Sequence, residues 1–241
     1  MGKAKNLLPD HKHQITTAIL VDGGFYRKRA RYLYGDKSPS ERADELNEYC
    51  YKHLRDKYEN RYLYRIFYYD CPPAEKNIYN PLTDKSENLK KSREYIWMTD
   101  FLNELKHHRK FALRLGRLSD TQLNYHLNTE ATKKLLQGKL AVKDISQQDL
   151  VLNIEQKGVD MRIGVDISSL AFKNQVNQII LISGDSDFVP AAKQARREGI
   201  DFILDPMGAP IKEDLFEHID GIRTPKLKTP NKVDEVSEID L

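Results

Sequence analysis

Short apolar runs that stop at an aspartate recur along this chain, and they limit what it can fold into. Residues 16–21 (TTAILV) end at Asp22-Gly23-Gly24, and residues 64–69 (YRIFYY) end at Asp70-Cys71-Pro72-Pro73. Residues 178–182 (QIILI) end at Ser183-Gly184-Asp185-Ser186-Asp187. Branched and aromatic runs closed by turn chemistry read as buried strands, and prolines cannot continue a ladder. Residues 111–118 and 200–204 read as further strands. Helical stretches lie between them: 25–34, a helix to about Tyr58 opened by the capping-box form Ser38-Pro39-Ser40-Glu41, 86–106, 160–172, and one to Glu198 that stops at Gly199. A last helix is expected over 211–219. Strands alternating with helices predict an α/β fold, a three-layer α/β/α sandwich with a mostly parallel central sheet.

The remaining organisation follows from composition. Residues 1–14 read as a flexible polar leader, 15–223 as one folded domain with a helical insertion near 119–156, and 224–241 as a disordered tail rich in Lys, Pro and acidic residues. No apolar run reaches the roughly 18 residues that span a bilayer, and the leader lacks the apolar stretch of a secretion signal. Cys50 and Cys71 stand in no metal-ligand spacing and read as reduced thiols, so a cytoplasmic location is expected. A net charge of +3 does not point to nucleic acid by itself. Two local runs are basic, Arg27-Lys28-Arg29-Ala30-Arg31 and Lys106-His107-His108-Arg109-Lys110, although such runs are ordinarily solvated helix faces.

In a parallel sheet the strand ends share a crevice, so Asp22, Asp185 and Asp187 are expected to converge there although far apart in sequence. One Asp after a strand is an ordinary turn or capping residue; several at neighbouring strand ends are not. Asp160 lies three residues before Ile163, the start of an apolar helical stripe (Ile163, Ile167, Leu170, Ala171), and is expected on the same inward face. Asp166 falls on the flank of that stripe. Crowded carboxylates need a cation, and oxygen-only ligands favour Mg²⁺ or Mn²⁺ over Zn²⁺. Metal-assisted hydrolysis of a phosphodiester is the chemistry that follows.

The motifs Lys157-Gly158-Val159-Asp160-Met161-Arg162-Ile163-Gly164-Val165-Asp166 and Ile182-Ser183-Gly184-Asp185-Ser186-Asp187-Phe188, with Val21-Asp22-Gly23 and Tyr68-Tyr69-Asp70, carry a resemblance. Over residues 17–223 the chain resembles the NYN domain, a branch of the PIN-like nuclease superfamily that includes LabA-type bacterial proteins. The resemblance implies a metal-dependent ribonuclease. It makes Asp22, Asp160, Asp185 and Asp187 the catalytic and metal-site positions, with Asp166 a further metal-site candidate. It gives Ser183 a supporting role at the turn and Lys157 a place facing a substrate phosphate. Many members carry Asn three positions after the first Asp; here that position is Phe25.

A nuclease must also hold its strand, with cations for phosphates and aromatic platforms for bases. Arg27, Arg31, Lys193, Arg196, Arg197 and Tyr26 are the candidates. The expected partner is RNA, with no membrane, and a homo-oligomer or protein partner stays open. Two competing readings remain. One is a catalytically silent RNA-binding module. The other is a phosphohydrolase of small phosphate esters, although Asp22-Gly23-Gly24 lacks the second Asp of a DxD nucleophile pair. No GxGxxG follows the first strand, and DNA is not distinguished from RNA as substrate.

Overall fold

The computed structural model describes residues 14–55, 59–118, 123–154 and 156–227. The chain opens with β1 (Gln14–Asp22), α1 (Gly23–Tyr34), α2 (Pro39–Leu54), β2 (Asn60–Asp70), β3 (Asn77–Asn80) and β4 (Lys85–Asn88). It continues with α3 (Arg93–His107), β5 (Phe111–Leu115), β6 (Arg117–Leu118), β7 (Asn124–Leu127), α4 (Thr129–Leu136), β8 (Leu150–Asn153) and β9 (Gln156–Lys157). It closes with α5 (Val159–Phe172), β10 (Gln178–Ile182), α6 (Val189–Arg197), β11 (Asp201–Asp205), α7 (Glu213–Phe216) and β12 (Gly221–Ile222).

Six strands form one parallel sheet in the order β12-β11-β10-β1-β2-β5. Both faces are covered, as a parallel sheet requires. Alternate residues of β1 separate into two cores: Ala18 and Leu20 pack with α5 and α6, while Ile19 and Val21 pack with α1, α2 and α3. All four are fully buried, each contributing about 1.5–3 kcal/mol by the apolar surface removed from water, or less for Ala18. The three-layer α/β/α sandwich is therefore the observed architecture.

Local chemistry explains most element starts. Ser38 and Glu41 make the reciprocal capping box, with Pro39 at the first helical position. The end of the expected helix at Tyr58 lies outside the described residues; α2 stops at Leu54. The helix expected over 86–106 starts later, because the Ser92 hydroxyl accepts the Tyr95 N–H and so caps α3. Before that cap, residues 86–88 pair in an antiparallel β3–β4 hairpin and residues 89–91 make a single 3-10 turn. The insertion expected to be helical is mixed: β7 and β8 pair antiparallel around the short α4. The final helix is a single turn, closed where the His218 N–H bonds the Leu215 carbonyl. Of the tail expected to be disordered, residues 224–227 are placed: Thr224 donates to Asp205 at 2.7 Å and Leu227 packs on the α1–α3 core. The expected leader, save Gln14, and the tail beyond 227 lie outside the described residues.

Gly23 opens α1 where no larger residue fits. A Cβ there would stand 2.5 Å from Asp70 Oδ2 and 2.5 Å from the Tyr68 ring and hydroxyl, groups that are themselves fully buried. Gly23→Ala is expected to lower stability by about 1–3 kcal/mol through this overpacking. A urea-denaturation midpoint indistinguishable from wild type would show that the neighbours yield freely.

Candidate active site at the carboxyl ends of the central strands

β1 is the middle strand of the site, with Val21 paired to Ile182 of β10 on one side and to Tyr68 of β2 on the other. From β1 the chain builds outward through β2 to β5, then returns and builds the other way from β10 through β11 to β12. The order therefore reverses between β1 and β10, where doubly wound sheets hold their ligands. Asp22 ends β1 at this crevice, and Ser183-Gly184-Asp185 leaves β10 opposite it.

One serine ties the two walls together. Asp22 caps α1, its Oδ1 accepting the Phe25 N–H at 3.1 Å. Its Oδ2 accepts the buried Ser183 hydroxyl at 3.1 Å. The Ser183 oxygen in turn accepts the Asp185 N–H at 3.3 Å. Asp185 Oδ1 accepts the Asp187 N–H at 3.0 Å, capping a short 3-10 turn over Ser186–Phe188. Phe25, where the resemblance leads one to expect Asn, lays its ring against Gly184, and a Cβ on Gly184 would meet it at 2.8 Å.

Asp160 closes the site from above. Gly158 precedes α5 with φ of +80°, a left-handed conformation that favours glycine, and this turns the chain from β9 into the helix. Asp160 then falls in the first turn of α5, which packs on β1 and on the Ser186–Phe188 turn. It is exposed rather than facing the core as its spacing suggests, because Val159 takes the inward position in the first turn and packs with Ile163 and Ile167.

The carboxylates feel one another. Asp22 is raised above the usual carboxylate range by burial, with Asp160 and Asp70 adding to it, while the hydrogen bonds from Phe25 and Ser183 oppose the shift. Asp160 is raised by partial desolvation and by the charges of Asp185 and Asp187. Ionisation of Asp22 and of Asp160 is therefore disfavoured, a condition that a bound cation relieves. Among the described residues, no three His, Cys, Asp or Glu side chains are close enough to enclose a metal ion. An open crevice with oxygen-only donors fits Mg²⁺ or Mn²⁺, which keeps waters and needs one or two carboxylates beside a phosphate.

Several expected site residues are elsewhere. Tyr26 is fully buried and donates to Glu45 at 2.9 Å, so it offers no face to a base. Asp166 is about 9 Å along α5 from Asp160 and is bound by the Tyr69 hydroxyl at 2.8 Å and Arg114 Nε at 3.0 Å, over β2 and β5 rather than the crevice. Lys193, Arg196 and Arg197 line a hollow with Asp201, which opens β11, at the amino ends of the strands; Arg196 pairs with Asp220 at 2.8 Å. Lys157 is exposed in β9, paired with Arg117 of β6. Arg27 is beside the site but holds buried Asp70 through two hydrogen bonds, at 3.0 and 3.2 Å. Asp70 also accepts from the Tyr68 hydroxyl at 2.9 Å. This Asp70–Arg27–Tyr68 cluster flanks Asp22, and the sequence pattern alone does not pick it out. The available signal is Asp70 itself, a strand-ending aspartate like Asp22.

A family model described as the NYN domain matches residues 16–211, most of the chain. The chain belongs to the NYN domain family. NYN domains fall within the PIN-like nuclease superfamily. A solved structure of a protein of unknown function from Vibrio parahaemolyticus RIMD 2210633 is similar at 15% identity and a TM-score of 0.44, covering 88% of this NYN domain chain and 93% of that one. No curated protein sequence matches. No helix among the described residues is long and apolar enough to cross a membrane.

Proposed function

We propose that this NYN protein is a divalent-metal-dependent ribonuclease that hydrolyses phosphodiester bonds of single-stranded RNA, with Asp22, Asp160, Asp185 and Asp187 as its acidic residues. The observation that carries the reading is the Ser183 bridge, which ties Asp22 at the end of β1 to the Asp185 turn after β10, with α5, whose first turn holds Asp160, packed on β1 and on the Ser186–Phe188 turn. One or two of these carboxylates would hold Mg²⁺ or Mn²⁺, with water and a substrate phosphate completing its shell. Such an ion supplies positive charge to a phosphate and acidifies water. The protein's own part is positioning. Ser183 fixes Asp22 against the Asp185 turn, and the Phe25 N–H holds the other Asp22 oxygen. Arg27 and Tyr68 occupy the neighbouring Asp70, so that carboxylate is withdrawn from the crevice.

End-labelled single-stranded RNA incubated with the protein is expected to be cut in Mg²⁺ or Mn²⁺, to stay intact in EDTA, and to be cut again when metal is restored. RNA that is bound yet uncut at every metal concentration would instead identify a silent RNA-binding module.

A further inference from the structure

Beside the carboxylate crevice, α1, α3 and the start of α2 line a cleft of about 550 Å³ whose wall includes Gly24, two residues past Asp22. Its walls carry six cations, Arg27, Lys28, Arg31, Lys37, Arg42 and Arg93, against two acids, Asp36 and Glu94. Four of the six are engaged: Arg27 with Asp70, Arg31 with Asp36, and Lys37 and Arg42 with Glu45. Lys28 and Arg93 are exposed and make no hydrogen bond or ion pair among the described residues. The Trp97 indole also lines the cleft, held by its N–H donating to the Lys37 carbonyl at 2.9 Å and stacked on Phe101 at 5.0 Å. A preorganised, cation-rich cleft of this kind suits a polyanion.

Arg27, Glu94 and Met98 also border a second pocket of about 400 Å³. Its walls are largely apolar and aromatic, among them Pro73, Leu89, Tyr95, Leu118, Tyr125 and Leu152. They come from the segment after Asp70, the turn that follows the β3–β4 hairpin, the start of α3, β6 and the β7–β8 hairpin. A cationic run that shares its rim with an apolar pocket matches a strand whose phosphates lie in one and whose unstacked base enters the other. A duplex has no free base to offer.

We propose that the α1–α3 cleft carries the backbone of a single-stranded polynucleotide and that the adjoining pocket seats one of its bases. The proposal rests on the ribonuclease reading for the direction of the strand toward Asp22, but its test does not require cleavage. Binding of fluorescently labelled single-stranded RNA to the full chain in EDTA is measured by anisotropy across a salt series. Lys28→Gln/Arg93→Gln is expected to make the plot of log affinity against log salt shallower by about 1.4, or about 0.7 for each phosphate no longer neutralised. Lys193→Gln/Arg197→Gln, at the opposite end of the sheet, is expected to leave the slope unchanged. Leu152→Trp, which fills the pocket, is expected to weaken binding by at least about 5-fold without altering the slope. An abasic oligonucleotide is expected to bind the unmodified protein equally weakly, which separates exclusion of the base from misfolding of the variant.

An unchanged slope in the Lys28/Arg93 variant, an equal change in the distant pair, or full affinity for the abasic strand would overturn the proposal. Normal cleavage with any of those results refutes the cleft and leaves the nuclease standing. Absent cleavage together with the expected weakening of binding refutes the nuclease and leaves the cleft.

Discussion

Asp160→Asn is expected to slow RNA cleavage by at least about 100-fold while yielding a chain that is more stable than wild type in EDTA at neutral pH. The rate loss should exceed the 10- to 100-fold typical of removing a group that merely supports a metal ligand. The stability gain follows from the direction of the shift. Asp160 is raised in the folded chain, by desolvation and then by Asp185 and Asp187. The folded state therefore holds this proton more tightly than the unfolded state. That contribution is fully present below the unfolded carboxylate pKa and disappears as pH rises through the raised value. At neutral pH the ionised group stands against its neighbours, and asparagine removes the repulsion. Asp160 makes no hydrogen bond within the described residues, so little is lost in exchange.

Thermal unfolding in EDTA from about pH 3 to 8 should show a smaller fall with rising pH in the variant. Adding Mg²⁺ should stabilise wild type more than the variant, since a ligand of the folded state stabilises in proportion to its affinity. Wild-type cleavage by Asp160→Asn would remove it from the site. A variant less stable than wild type in EDTA would make its role structural.

The second large effect concerns an aspartate that looks the same in sequence. Asp205 ends β11 as Asp22 ends β1, yet it is fully buried. It accepts from the Tyr49 hydroxyl at 2.6 Å, the Met207 N–H at 2.8 Å and the Thr224 hydroxyl at 2.7 Å, and lies 2.8 Å from His53 Nε2. Asp205→Ala strips the partner from all four groups at once, in a buried site. A loss of about 3–5 kcal/mol is expected, the range found when one member of a buried charged set is removed. The midpoint of urea unfolding should fall with its slope unchanged. Asp205→Asn, which keeps the shape and part of the acceptor capacity, should lose distinctly less. A midpoint for Asp205→Ala within about 0.5 kcal/mol of wild type would show that this cluster does not hold β11 to α2.

Gly23, Phe25 and Arg27 illustrate a different limit. Each is one short step from Asp22 in sequence, and a linear reading makes them a turn, a departure from the family pattern and a phosphate contact. In three dimensions Gly23 leaves room for Tyr68 and Asp70, Phe25 covers Gly184, and Arg27 neutralises Asp70. All three concern packing between β1, β2 and the β10 turn, and no periodicity within a single element encodes it.

The linear chain was sufficient for the layer order. Apolar runs of strand length, capping serines and a terminal glycine are local chemistry, and each segment's preference agrees with its place in the parallel sheet. It also marked Asp22, Asp70 and Asp185, though not Asp205, because strand ends are visible as the point where apolar residues give way to turns. What it left open was which of those aspartates stay available. Asp22, Asp70 and Asp205 carry the same side chain at the same kind of position. Their fates diverge because desolvation and hydrogen-bond partners are supplied by residues brought in from other elements: Arg27 and Tyr68 for Asp70, Tyr49, His53 and Thr224 for Asp205, and for Asp22 a serine from a strand 161 positions away.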